Sequence, residues 1–196
     1  MKSYKTPLRY PGGKSRACSK MDPFFPDLRD YKEYREPFIG GGSVAIHITK
    51  KYPHLDTSVN DLYEPLYNFW RVLQDDGNAL YTRLQELKST HSDEESARKL
   101  FLESKDIVND YTVSNLFRAS SFYIVNKCSF SGLTESSSFS RQASVSNFSM
   151  RGIEKLPGYT QIIENWKITN WSYESLLTDS KDVFTYLDPP YDIKDN

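Results

Sequence analysis

The residues best suited to chemistry stand near the end of the chain, in the run Asp188-Pro189-Pro190-Tyr191. Two consecutive prolines fix φ and remove two backbone donors, so the turn is stiff and its carbonyls are open to accept hydrogen bonds. A carboxylate and a rigid carbonyl can each accept one hydrogen of an exocyclic amine. That draws a conjugated, weakly nucleophilic nitrogen toward tetrahedral geometry and exposes its lone pair. The adjacent tyrosine ring can stack on a base extruded from a duplex. Under average residue usage the tetrapeptide arises by chance in about one chain in a thousand of this length. The plainer alternative is a turn in which Pro-Pro ends a strand and Tyr191 packs.

A second group is Glu36-Pro37-Phe38-Ile39-Gly40-Gly41-Gly42-Ser43. Glycines between a strand and a helix let a ligand approach the backbone closely, and the helix start offers free N–H groups. Asp61 follows about 20 residues later, where an acid can take both hydroxyls of a ribose. A plain helix N-cap is the other reading of Asp61. Nearer the start, Arg9-Tyr10-Pro11-Gly12-Gly13-Lys14 reads as a loop whose lysine can meet a carboxylate or a cofactor, or simply as an exposed turn.

These groups need elements to hold them. Tyr34–Ile39 reads as a strand ending in the glycine triplet, and Ser43–Ile48 as the start of a helix. Residues 57–60 read as a second strand delivering Asp61. Leu62, Leu66, Phe69, Trp70 and Leu73 then recur at helical spacing to about residue 75. Helical patterns follow over 79–90 and 93–109, the latter opened by a Ser92/Glu95 capping box. Leu116 to Val125 reads as a third, buried helix. Nine of the 21 residues from Ser129 to Ser149 are serine, which predicts a mobile polar loop or hairpin suited to a binding surface and poorly suited to core. Trp166–Trp171 reads as a strand, Ser172–Leu177 as a short helix, and Asp182–Leu187 as an apolar strand carrying Asp188 at its carboxyl end. The expected organisation is an α/β core in two pieces, 1–75 and 166–196, interrupted by an insert over 76–165.

Composition fits a folded protein in a reducing cytoplasm. Hydrophobic residues are 38% of the chain and charged residues 26%, and no run is long and apolar enough to span a bilayer or to act as a secretion signal. Cys18, Cys128 and the three histidines have no ligand-like spacing, so neither a disulfide framework nor a metal site is expected, and both cysteines read as small buried residues. The net charge is −1, but the charge is uneven: residues 74–112 hold nine acids against five Lys/Arg, and 113–167 hold six Lys/Arg against three acids. Such faces are most simply solvated, although the basic stretch leaves room for an anionic partner.

The order Arg-Tyr-Pro-Gly-Gly-Lys, Glu-Pro-Phe-Ile-Gly-Gly-Gly, Asn-Asp-Leu-Tyr and Asp-Pro-Pro-Tyr resembles the Dam-type (D12 class) DNA adenine-N6 methyltransferases from about Leu8 to the end of the chain. The resemblance implies a Rossmann-like core dependent on S-adenosyl-L-methionine, with no metal, and a mostly helical inserted target-recognition domain. It implies double-stranded DNA as partner and the cytoplasm of a bacterial or phage-infected cell as setting. Tyr10, Lys14, Phe38, Gly40, Gly42, Asp61 and Asp188 are then cofactor-binding, and Asp188, Pro189, Pro190 and Tyr191 catalytic. Residues 123–133 are similar to the family's Asn-Arg-x-x-Phe-Asn-Gly-Leu stretch, with Lys127 for arginine and Ser131 for asparagine. This makes Arg118, Asn126, Lys127, Ser131, Gly132 and Arg141 candidate DNA contacts, without indicating a recognition sequence. Family members continue past Asp-Pro-Pro-Tyr with further strands, so the catalytic strand is expected at an exposed sheet edge. The chain is then a fragment, or is completed by a partner chain, or is a non-catalytic DNA- or cofactor-binding module. Transfer to cytosine N4, a similar exocyclic amine, is a further alternative.

Overall fold

In the computed structural model, residues 5–130, 132 and 136–190 are described. Four short parallel strands form one sheet: β1 (Glu33–Glu36), β2 (Asp56–Asn60), β3 (Lys167–Thr169) and β4 (Val183–Thr185), in the order β3-β2-β1-β4. Their registers align Arg35 with Thr185, Glu36 with Val59, and Asn60 with Thr169, so all carboxyl ends share one rim. β1 leads to β2 on one of its edges while β4 pairs with the other, so the strand order reverses at β1. Ligands of open α/β sheets bind at such a switch point, and the glycine turn and Asp188 both emerge there.

β1 is shorter than the predicted strand, ending at Glu36 because Pro37 has no N–H to continue the ladder. Tyr34 and Glu36 point inward and are buried, while Glu33 and Arg35 are half-buried. On the sheet edge, β4 is only half-buried. Phe184 packs against Phe25 at 5.6 Å between ring centroids.

Helices α1 (Cys18–Met21) and α2 (Ser43–Lys51) flank β1, and Ser43 opens α2 as predicted. The helices predicted to about residue 75 and over 79–90 form one kinked element, α3 (Glu64–Thr90), broken where the prediction placed the gap. It kinks at Asp76, whose φ of −146° and ψ of 50° are not helical. The cause is local. Thr160 Oγ1 donates to the Leu73 carbonyl at 2.7 Å, taking the acceptor that the next helical turn would use. Asp76 Oδ1 then accepts from Ala79 N at 3.3 Å, restarting the helix.

The predicted Ser92 cap is corrected. Helix α4 (Glu94–Ile107) is capped by Asp93, whose carboxylate accepts from Ser96 N at 2.9 Å. Helix α5 (Asn115–Cys128) is buried on nearly every face because it lies between α3 and α4. Three short helices follow, α6 (Arg141–Ser146), α7 (Met150–Ile153) and α8 (Leu156–Ile163). Phe69 of α3 stacks on Tyr123 of α5 at 5.9 Å, and Trp70 meets Trp166 at 5.8 Å, so one hydrophobic core runs from the sheet into the helical region. Cys18 and Cys128 are buried, as their type predicted. No helix among the described residues is long and apolar enough to cross a membrane.

Of the two forms expected, a mobile loop or a hairpin, the serine-rich segment shows the antiparallel pairing of a hairpin, and it also enters the core. Ser129 bridges Phe139 in antiparallel fashion, Ser140 caps α6 and Ser149 caps α7. Phe148 is 1% exposed and Phe139 packs on Phe101, so two of its aromatics belong to the core. Serine favours cap positions because its hydroxyl mimics a backbone acceptor, which explains the composition without invoking mobility.

Candidate active site

Three acids converge at the carboxyl rim: Glu36 ends β1, Asp61 follows β2 and Asp188 follows β4. Asp61 Oδ2 accepts from Gly40 N and Oδ1 from Tyr63 N, each at 3.0 Å, fastening the glycine turn to the end of β2. It is not the cap of α3, a position held by Tyr63. Each Asp61 oxygen retains a lone pair, the capacity that a ribose diol requires. Burial raises the Asp61 carboxyl above the usual range, against the two backbone N–H groups that favour its charge.

The turn itself is gripped from both sides. Gly42 has φ of +67°, and a Cβ there would lie 2.7 Å from the Trp70 ring. A Cβ on Gly40 would lie 2.8 Å from the Tyr10 ring. Trp70 Nε1 donates to Gly40 O at 3.2 Å, and Thr6 Oγ1 donates to Gly41 O. The N-terminal loop therefore lies directly on the turn, and burial with the Asp61 charge pushes the Tyr10 phenol up to about 12.

The same loop reaches the proline turn. Lys14 Nζ lies 2.6 Å from Asp188 Oδ2 and donates to Gly12 O at 2.9 Å. Tyr186 N donates to Arg35 O at 2.8 Å, carrying the β1 pairing one residue past β4 and aiming Asp188 at the rim. Asp188 is partly exposed, and Pro189 and Pro190 are exposed. Tyr191 lies outside the described residues.

Glu36 is the site residue that sequence reasoning missed. It is 3% exposed, Tyr34 OH donates to its Oε2 at 2.7 Å, and the Ala45 backbone N–H favours its charged form. Burial pushes its carboxyl up to about 8, helped by the negative charges of Asp188 and Asp61. Glu36 therefore lies near enough to Asp188 and Asp61 to feel both charges. A cation entering there would favour the ionised form of Glu36. Its position directly before Pro37 was visible, but a charged residue type gives no warning of burial. At the rim beyond Asp61 stand the exposed Leu62 and Trp171, and Phe38 lies 5.3 Å from Tyr173. Asn170 Nδ2 fixes this rim by donating to Asp61 O at 2.7 Å and Leu62 O at 3.0 Å.

The expected DNA contacts separate into two groups. Arg118 is 3% exposed: its guanidinium pairs with Glu64, donates to Val108 O at 3.2 Å and lies 4.1 Å from the Tyr111 ring centre. Asn126 is equally buried, and Gly132 is buried against Arg9. Arg118, Asn126 and Gly132 therefore act inside the protein, because their polar groups are consumed by neighbouring elements. Lys127 is half-buried, with Nζ 5.2 Å from the Tyr123 ring centre, and burial together with the Arg9 charge pushes its amine down to about 8. Arg141 is exposed and pairs with Glu94 at 2.9 Å. Ser131 lies outside the described residues. Other cations hold the serine-rich segment by its carbonyls: Lys105 Nζ donates to Ser137 O at 3.0 Å and Lys88 Nζ to Ser144 O at 3.3 Å.

Arg118→Ala is accordingly expected to destabilise the fold by about 3 kcal/mol, since it strands Glu64 and Val108 O, while leaving the DNA affinity of the folded protein unchanged. Urea unfolding and a binding titration below the transition separate the two effects.

The fold and the site together define a Rossmann-like methyltransferase core, with a glycine turn, an acid after β2 and a proline turn after β4. The chain belongs to the D12 class N6 adenine-specific DNA methyltransferase family, whose model matches residues 10–196. It is 26% identical to the type II methyltransferase M.MjaIII of Methanocaldococcus jannaschii, covering 94% of this chain and 68% of that protein. It is 27% identical to the DNA N-6-adenine-methyltransferase of Escherichia phage P1 over 65% of this chain and 15% of that protein. Identity to the type II methyltransferase M1.LlaDCHI of Lactococcus lactis subsp. cremoris is 23%, over 93% of this chain and 64% of that one.

Proposed function

We propose that the protein transfers a methyl group from S-adenosyl-L-methionine to N6 of adenine in double-stranded DNA, in the cytoplasm of a bacterial or phage-infected cell. The observation that carries this reading is the Lys14–Asp188 pair at 2.6 Å, which joins the proline turn to the loop lying on the glycine turn. Acceptor and cofactor groups thereby share one cleft.

The cofactor supplies an electrophilic methyl on a sulfonium, whose neutral thioether is a good leaving group, so the reaction itself requires no metal. Asp61 takes the ribose hydroxyls. Tyr10, Lys14, Phe38, Gly40 and Gly42 line the remainder, and the buried acid of Glu36 suits a cationic ligand. Asp188 and the Pro189 carbonyl accept the two amine hydrogens of the flipped adenine, and Tyr191 stacks on its ring. Residues 76–165 form the target-recognition insert between the core pieces 1–75 and 166–196. Lys127, Ser131 and Arg141 are its DNA contacts, lysine meeting phosphate as a point charge.

Incubation of the protein with S-adenosylmethionine and duplex DNA, followed by mass spectrometry of the nucleosides, tests the reading. N6-methyladenine is expected. N4-methylcytosine, or no methylated base, would overturn it.

A further inference from the structure

We infer that Asn126 is a positioning residue that ties the DNA-facing segment to the cofactor loop, so that duplex DNA and S-adenosylmethionine bind cooperatively, an inference that rests on the proposed function.

Asn126 lies in the last turn of α5 and is 3% exposed, too enclosed to touch a duplex. Its Oδ1 accepts from Arg9 N at 2.9 Å, and its Nδ2 donates to Arg9 O at 2.6 Å and to Gly132 O at 3.0 Å. Accepting from and donating to the same residue is the pattern by which one strand reads another. Only a side-chain amide can imitate it. The second amide hydrogen brings Gly132 into the same knot. With φ of +71° and a Cβ that would lie 2.6 Å from Arg9 Cβ, Gly132 has no room for a side chain. Arg9 Nη1 also donates to Ser129 O at 2.8 Å. Residue 9 is thus bonded to Asn126 in the last turn of α5 and to Ser129 just after it, with Gly132 packed against it.

The residues immediately after Arg9 make the knot consequential. Next in the chain is Tyr10, whose ring covers Gly40, and Lys14 reaches Asp188 at 2.6 Å. The intervening Pro11-Gly12-Gly13 has no regular structure of its own beyond a turn from Gly13 N to Tyr10 O. A duplex held by Lys127 therefore bears on the turn of α5 that fixes residue 9, and through it on the loop that contacts the cofactor. Linkage makes the effect reciprocal: the cofactor tightens DNA to the same degree.

Calorimetric titration of S-adenosylmethionine, with and without a saturating adenine-containing duplex, tests this in the wild type, Asn126→Ala and Gly132→Ala. DNA should tighten the cofactor at least about fivefold in the wild type, the lower range of site-to-site couplings. In both variants the ratio should fall to about one. Gly132→Ala breaks the knot outside any helix, so it serves if Asn126→Ala does not fold. A purely structural role would weaken both titrations equally with the ratio preserved, and that result overturns the inference. So does a wild-type ratio of one. Failure of the wild type to bind cofactor in either titration defeats the functional reading, and the inference with it.

Discussion

Asp188→Ala should lower the rate of methyl transfer by at least about a hundredfold, the range seen when one preorganised polar partner of a transition state is removed, while leaving cofactor affinity nearly intact. The expectation follows from where the side chain sits. Asp188 is partly exposed, and its partner Lys14 keeps a second bond to Gly12 O at 2.9 Å. Water can reach the lysine once the carboxylate is gone, so the fold loses only about 1 kcal/mol, as for other exposed pairs. The loss should appear in kcat, because the acceptor acts on the amine as its nitrogen turns tetrahedral. Asp188→Asn sharpens the test, since it keeps one carbonyl acceptor while removing the charge that Lys14 meets. If lone-pair exposure is the dominant contribution, the asparagine variant retains more activity than the alanine variant. Equal loss in both would place the contribution in the carboxylate charge instead. Single-turnover rates with a labelled methyl group, measured beside calorimetry on the same samples, distinguish these outcomes. Unchanged turnover in Asp188→Ala would remove the proline turn from the chemistry altogether.

The convergence of the glycine turn, Asp61 and Asp188 on one rim was legible because its signals are local. A glycine triplet after an apolar run, an acid after the next one, and two prolines after a third can each be read from a few neighbours, and the sheet then aligns their carboxyl ends. Boundaries were less legible. Pro37 stops β1 at Glu36, short of the predicted Ile39, and Asp93 rather than Ser92 caps α4. The helical region between β2 and β3 was the least legible for one physical reason. Arg118, Asn126 and Lys105 are residue types that normally face water, and here each is spent on a carbonyl or carboxylate supplied by a distant segment. A family resemblance that maps such residues to DNA contacts transfers the position but not the direction of the side chain. The serines suggested a mobile loop or a hairpin; the hairpin pairing is present, and two of their hydroxyls cap helices.

Glu36 gives the second large effect, and its sign can be worked out. An acid pushed up to about 8 in the folded protein, from 4.5 in an unstructured chain, keeps its proton in the folded state throughout a window where the unfolded chain has lost it. Unfolding therefore releases a proton between these values. Stability from this group is complete below pH 4.5, declines as pH rises toward 8, and changes no further above it. Asp61, also raised by burial, slopes the same way at lower pH. In Glu33 and Asp22 the effect of burial is outweighed by hydrogen-bonded cationic partners, so both are lowered and have completed their opposite contributions before pH 5. Between pH 5 and 8 the wild type should thus lose on the order of a few kcal/mol. Glu36→Gln has the same shape, remains neutral throughout, and can still accept the Tyr34 hydroxyl bond. Its midpoint in urea should stay nearly flat over the same window, and the variant should exceed the wild type at pH 8. Parallel curves for the two proteins would mean that Glu36 is ionised in the folded state near neutrality.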